Sequence, residues 1–160
     1  MRHALTLAAL LFAATAQAET PRDFLTRFEK EAGSPASAER GARFFTAKQG
    51  GEWSCASCHT DKPTQAGRHA KTDKPITPLA PAANAERFTD AAKVDKWFRR
   101  NCNDTLNRVC SAQEKADVMA WLLALYVAVA ERQGVVGVAL TGDVPIVTVG
   151  VPGKLMPLAW

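Results

Sequence analysis

Long apolar runs and charge of one sign are both scarce in this 160-residue chain, and each scarcity removes a class of function. The apolar run from Ala4 to Ala14 falls short of the ~20 residues a transmembrane helix needs, and no stop-transfer pattern follows it. That argues against a membrane-spanning segment in the mature chain. Twenty Lys and Arg against sixteen Asp and Glu leave a formal charge of only +4, too little for the basic stripe that nucleic-acid binding calls for. Histidine is limited to three residues, so imidazole ligands have few candidates.

What is present reads as an exported globular protein. Hydrophobic residues make up 47% and charged residues 22%, and the length fits one domain. Arg2, the apolar run and the small-residue site Ala16-Gln17-Ala18 predict a secretory signal over residues 1–18, with a mature chain from near Glu19 in the periplasm. Loss of Arg2 takes the charge from +4 to +3, and His3 leaves with the signal. Export places the four cysteines in an oxidising compartment, where thiols tend to be paired or covalently used. They fall into two local pairs, Cys55/Cys58 and Cys102/Cys110.

The patterning is helical. Thr20-Pro21-Arg22-Asp23 predicts a helix start, with Phe24, Leu25 and Phe28 on one face and Gly33 as its stop. A second helix is expected from after Ser37 to about Lys48. Residues 62–81, punctuated by Pro63, Gly67, Pro75, Pro78 and Pro81, read as loop. Thr89-Asp90 opens a third helix, with Val94, Trp97 and Phe98 in register, ending near Arg100. Ser111-Ala112-Gln113-Glu114 is a capping box. It starts the strongest helix, to about Glu131, with Val118, Trp121, Leu122 and Leu125 as its buried stripe. From Gly134 the chain is rich in Val and Gly, with turn signals at Gly142-Asp143 and Pro152-Gly153. Either a short hairpin or a loosely attached segment fits it.

The chemistry lies in Cys55-Ala56-Ser57-Cys58-His59, the C-x-x-C-H pattern of covalent haem attachment. Two thiols so spaced can add to the two vinyl groups on one porphyrin edge, and the next residue offers an imidazole to the iron. Three other readings compete. A thioredoxin-like motif needs a βαβ setting, and the flanking chain shows helices and loops. A four-cysteine zinc site wants two to four residues between the members of a pair, whereas Cys102 and Cys110 have seven between them. A plain structural disulfide between Cys55 and Cys58 is the third reading. Cys102 and Cys110 are expected to bridge each other, stiffening the connection between two helices that pack on the haem.

Several segments together resemble the sphaeroides haem protein (SHP) family of class I c-type cytochromes. They are Trp53–His59, Pro78–Pro81, Arg87–Asp90, Trp97–Asn103 with its Arg-Asn-Cys-Asn core, Glu114–Asp117, and Trp121-Leu122. The resemblance spans roughly Phe24 to Leu125. It implies an all-α class I cytochrome c fold, four to five helices around one covalent haem, with an irregular C-terminal tail. It implies Cys55 and Cys58 as haem anchors, His59 as proximal ligand and Asn101, just before the first disulfide cysteine, as distal ligand. It also implies a Cys102–Cys110 disulfide, binding of O2 or another diatomic gas on reduction, and electron exchange with a second c-type cytochrome, often a dihaem one. An amide oxygen is a hard, neutral ligand better suited to ferric than to electron-rich ferrous iron, which gives this switching a chemical basis.

Taken from the residues alone, Asn101 reads first as a helix C-cap, and only the resemblance makes it a ligand. His69 is a second imidazole in a loop, and Met119 and Met156 are thioethers; any of them as ligand would give an ordinary electron shuttle. Pro78 follows His59 at the distance at which class I cytochromes place a carbonyl on the proximal Nδ1–H. Phe45, Trp53, Trp97, Phe98 and Trp121 are expected to line the crevice or pack helices. Gly41 and Phe45, opposite Trp121 and Leu122, resemble the close helix crossing of this fold. No general acid or base stands out beside the motif, so an electron carrier or gas-binding protein is expected rather than an enzyme. The organisation expected is a signal over 1–18, an N-terminal helix or extension over 19–36, a cytochrome domain over 37–131 and a tail over 132–160.

Overall fold

The computed structural model describes residues 19–132 and the strand residues 138–141 and 144–147. The expected signal and cleavage site, and Met156, lie outside the described residues. The helices are α1 (Pro21–Ala32), α2 (Ala38–Thr46), α3 (Ala56–His59), α4 (Ala91–Leu106) and α5 (Ala112–Arg132). Strands β1 (Gly67–Arg68) and β2 (Pro75–Ile76) pair antiparallel, as do β3 (Val138–Thr141) and β4 (Val144–Val147). No helix among the described residues is long and apolar enough to cross a membrane.

The helix starts are written in local chemistry. The Thr20 and Asp23 side chains each accept the other's backbone N–H, at 2.8 and 3.3 Å, and Pro21 occupies the first turn where no intrahelical donor is needed. Ser37 Oγ accepts the Arg40 N–H at 3.2 Å to begin α2. Ser111 and Glu114 form the same reciprocal box for α5, at 2.7 and 3.2 Å. Each cap satisfies donors that a helix end would otherwise leave unpaired.

Helix α5 divides the core in two. Ala116 and Met119 join Phe24 and Phe28 of α1 and Val94 of α4 in one buried cluster. Val118 and Leu122 join Phe45 of α2 and Ala80 in the other, against which Cys55, Ala56, Leu79 and Trp121 pack. Phe88 and Phe98 touch both clusters and join them. The expected N-terminal extension therefore contributes two fully buried phenylalanines to the core.

The tightest packing is the crossing of α2 over α5. A Cβ on Gly41 would stand 1.9 Å from the Asp117 carbonyl oxygen, so only glycine allows this approach. The Asp117 carboxylate, 5% exposed, ties the crossing together. It accepts from the Ser37 N–H at 2.7 Å, from Arg40 Nε and Nη2 at 2.8 Å each, and from Gln113 Nε2 at 2.9 Å.

Three elements differ from their expected extent. Helix α4 continues past Arg100 to Leu106 and ends at Asn107, whose φ of 56° is left-handed. The apolar periodicity lapses at Arg99, but burial of Cys102 and contacts of the last turn carry the helix onward. The loop 62–81 contains the β1–β2 pair, too short to show period-two patterning. The tail, irregular in the resemblance but open to a short hairpin on its own turn signals, contains the β3–β4 pair flanking Gly142-Asp143.

Two outcomes follow from the crossing. Gly41→Ala should lose at least about 1–3 kcal/mol of stability in denaturant unfolding, the usual cost of overpacking, because the added methyl meets backbone. Burial pushes the Asp117 carboxyl up, but the bonds from Arg40, Ser37 and Gln113 together hold it below its ordinary 3.8. A depressed carboxylate stabilises the fold above the unfolded value and loses that contribution as pH falls through the folded one. Stability should therefore fall below about pH 4, and an acid titration of Asp117→Asn should show a shallower fall.

Candidate functional site

The motif forms a single helical turn. Cys58 and His59 donate their N–H groups to the Cys55 carbonyl at 3.3 and 3.0 Å, so both thiols and the imidazole issue from α3 and its first flanking residue. The thiols are free and not bridged to each other. Burial is the main reason that the Cys55 thiol is pushed up to about 11. A redox-active C-x-x-C cysteine needs the reverse, a depressed pKa, so the thioredoxin-like reading has no support here.

His59 is a poised neutral imidazole. Burial first, and then the charge of Arg87, push it down to about 4, leaving near neutral pH the uncharged form that ligates metals. Its Nδ1 is buried with no hydrogen-bond partner among the described residues. The Phe45 ring lies 6.3 Å away, and Phe45 in turn stacks at 4.7 Å on Trp121.

The loop beyond the motif is pinned through Pro63, which is fully buried. Its carbonyl accepts the N–H groups of Leu79 and Ala80, both at 2.9 Å. Pro78 does not make the expected contact with His59. Its carbonyl instead receives Arg87 Nε at 3.0 Å and Asn84 Nδ2 at 3.4 Å, and a charged donor is the stronger competitor for it.

On the other side stands α4. Asn101 lies inside this helix and Asn107 is its C-cap, so the capping explanation of Asn101 falls away. Its side chain is half-buried, and its amide makes no hydrogen bond among the described residues. One turn on, about 5.4 Å along the axis, the Thr105 hydroxyl donates to the Asn101 carbonyl at 2.8 Å and also lies against the Cys55 thiol. A Cβ on Gly51 would meet the Thr105 carbonyl oxygen at 2.3 Å, so the last turn of α4 presses on the chain just before the motif. Cys102 and Cys110 form a disulfide with Cα atoms 5.5 Å apart, both residues buried.

The rival ligands are placed otherwise. His69 Nδ1 accepts the Lys71 N–H at 3.2 Å within the β1–β2 connection. Met119 is fully buried in the Phe24–Phe28 cluster, not the one that contacts Cys55. Trp97, expected in the crevice or among the packed helices, is 46% exposed, with Lys96 and Arg100 5.6 Å from its ring. The inward stripe of α4 runs instead through Val94, Phe98 and Cys102.

Several contributors went unread in the sequence. The Ala70 N–H donates to Cys58 Sγ at 3.3 Å, and the Lys71 ammonium sits 4.5 Å over the Trp53 ring, so the β1–β2 connection clasps the motif. Thr105, Asn84 and the role of Arg87 carried no pattern, because each depends on contacts between distant segments. The residues present fit a covalently attached haem: two unbridged thiols one turn apart, a neutral imidazole beside them, its Nδ1 awaiting an acceptor, and an unpaired amide on the facing helix.

Comparison with known proteins agrees. The family model described as "Domain of unknown function (DUF1924)" matches residues 31–122. Cytochrome c-type protein SHP of Cereibacter sphaeroides is 44% identical over 129 residues, covering 78% of this chain and 99% of that protein. A structure of oxidised SHP, described as an oxygen-binding cytochrome c, aligns with a TM-score of 0.63 at 46% identity, over 67% of this chain and 98% of that one. A solution structure of cytochrome c'' from Methylophilus methylotrophus, presented for the structural basis of haem-ligand detachment, aligns at 0.60 and 36% identity, over 66% and 94%.

Fold and site thus define a class I c-type cytochrome, a haem protein with covalently bound haem c. Within that class the chain belongs to the SHP family.

The disulfide closes an eight-residue separation. In the chain-entropy model such a loop contributes on the order of 2–3 kcal/mol. The Cys102→Ala/Cys110→Ala protein should lose about that much in chemical denaturation, and its amides over 101–106 should exchange faster with solvent while those of α5 do not.

Proposed function

We propose that Cys55 and Cys58 anchor the haem, that His59 is the proximal ligand and that Asn101 holds the sixth position only in the oxidised protein. A haem held there would supply a redox-active iron. Asn101 would hold that iron when it is oxidised and release it on reduction, leaving room for O2 or another diatomic gas such as NO. Electrons arrive from another c-type cytochrome, of the dihaem type that the family often uses. The protein acts as an electron carrier and gas-binding protein rather than an enzyme, in the periplasm after removal of residues 1–18. Residues 37–131 are its cytochrome domain, 19–36 an N-terminal helical extension and 132–160 a tail.

The observation that carries this reading is the placement of Asn101: interior to α4, half-buried, one turn from the residue that touches Cys55, with its amide unpaired among the described residues. The amide is not among the buried unpartnered groups, so water can reach it, and with no partner among the described residues its oxygen is free to serve an iron. The relatives add support, since SHP is described as oxygen-binding and cytochrome c'' as a case of haem-ligand detachment. An ordinary shuttle with Met119 or His69 as its permanent ligand has less behind it, given where those residues lie.

The test is the ferric spectrum of Asn101→Ala. Loss of the sixth ligand should convert a low-spin ferric form to high-spin, with the ferrous spectrum little changed. A variant that kept the wild-type ferric spectrum would overturn the assignment. Separately, Cys55→Ala/Cys58→Ala should retain no haem after acid-acetone extraction, whereas the native protein keeps it.

A further inference from the structure

The outer face of α4 is basic. Lys96, Arg99, Arg100 and Asn103 are exposed at helical spacing, opposite the stripe of Val94, Phe98 and Cys102. With Val109 they line a surface groove of about 480 Å³. Val109 is 64% exposed, and the Cys102–Cys110 disulfide beside it ties it to the end of α4. No carboxylate lines the groove. Lys96 and Arg99 enter no ion pair among the described residues, and Arg100 meets Asp104 only at 4.0 Å. Asp95, the other acid within α4, is taken by Arg27 of α1 at 2.6 Å. Arg99 and Asn103 stand two residues either side of Asn101, about 160° round the helix from it. The groove therefore opens away from the side of α4 that carries Asn101, and its charge does not depend on what fills the crevice there.

We infer that this groove is a docking surface for a protein partner rich in carboxylates. The cations steer and orient such a surface, arginine forks pair with its carboxylates, and Val109 gives a dry contact among them. The disulfide holds the groove's two sides together before binding, so little ordering is left to be done on contact. A lipid surface would need a broad apolar face as well, and one valine does not supply it. This deepens the reading above and rests on it for one point, that the partner is an electron donor. From the groove to the Asn101 side an electron crosses a single helix, about 10 Å thick.

The test is stopped-flow reduction of the ferric holoprotein by a plant-type 2Fe–2S ferredoxin, an acidic protein of low potential. One electron passes from its reduced cluster to the ferric iron, oxidising the one and reducing the other. Lys96→Gln/Arg99→Gln should slow this reaction about tenfold at low ionic strength and flatten its salt dependence. Arg22→Gln/Lys30→Gln removes as much charge from exposed positions of α1 and should stay near the native rate. Lumiflavin semiquinone, small and neutral, should reduce all three proteins alike. Equal slowing in both double variants would reduce the effect to net charge and overturn the inference, as would no slowing in the first. Phosphatidylglycerol vesicles held through Lys96 and Arg99, with the ferredoxin rate native, would assign the groove to a lipid surface instead. A holoprotein that neither donor reduces would overturn the electron-transfer reading itself, and the inference with it.

Discussion

The approach of α2 to α5 at Gly41 and Asp117 is the constraint on which the remaining geometry hangs. A backbone contact that admits no Cβ fixes the distance between these helices, and a buried carboxylate with four donors fixes their rotation. Phe45, one turn beyond Gly41, is thereby set between Trp121 and the His59 ring. With that wall in place, the turn carrying Cys55, Cys58 and His59 packs against a rigid surface. The far cluster around Phe24, Phe28 and Met119 holds the back of α5, and Phe98 couples it to α4.

Two sides of the site are organised by different means. The side after the motif is a loop, and loops need anchors: the buried Pro63 carbonyl holds Leu79 and Ala80, while Arg87 and Asn84 hold Thr77 and Pro78. The α4 side is a helix terminus stiffened by a disulfide, with Gly51 letting Thr105 come against the motif.

Much of this was legible in the residues, and the limits have physical causes. The caps at Thr20, Ser37 and Ser111 announce themselves because capping is local chemistry. C-x-x-C-H is legible for the same reason, because thioether chemistry dictates its spacing. Gly41 became legible only through the family resemblance, since a glycine needed for close approach looks like any other. The end of α4 was misplaced by six residues because its final turns are held by Cys102, Thr105 and Gly51 rather than by an apolar stripe. That error bears directly on Asn101, which changes from a plausible cap to an interior residue. The Pro78 contact was inferred from sequence distance, which carries no record that Arg87 competes for the same carbonyl. Trp97 was grouped with the crevice aromatics by its apolar character, yet its position on α4 leaves it beside Lys96 and Arg100.

The central claim is that the sixth position is closed in the oxidised protein and open in the reduced one. The optical spectrum of the matured native holoprotein, recorded oxidised, reduced, and reduced under CO, tests it most directly. The account predicts a low-spin ferric form that becomes high-spin on reduction and binds CO rapidly. A low-spin ferrous spectrum unchanged by CO would contradict it, and would leave a protein that only transfers electrons.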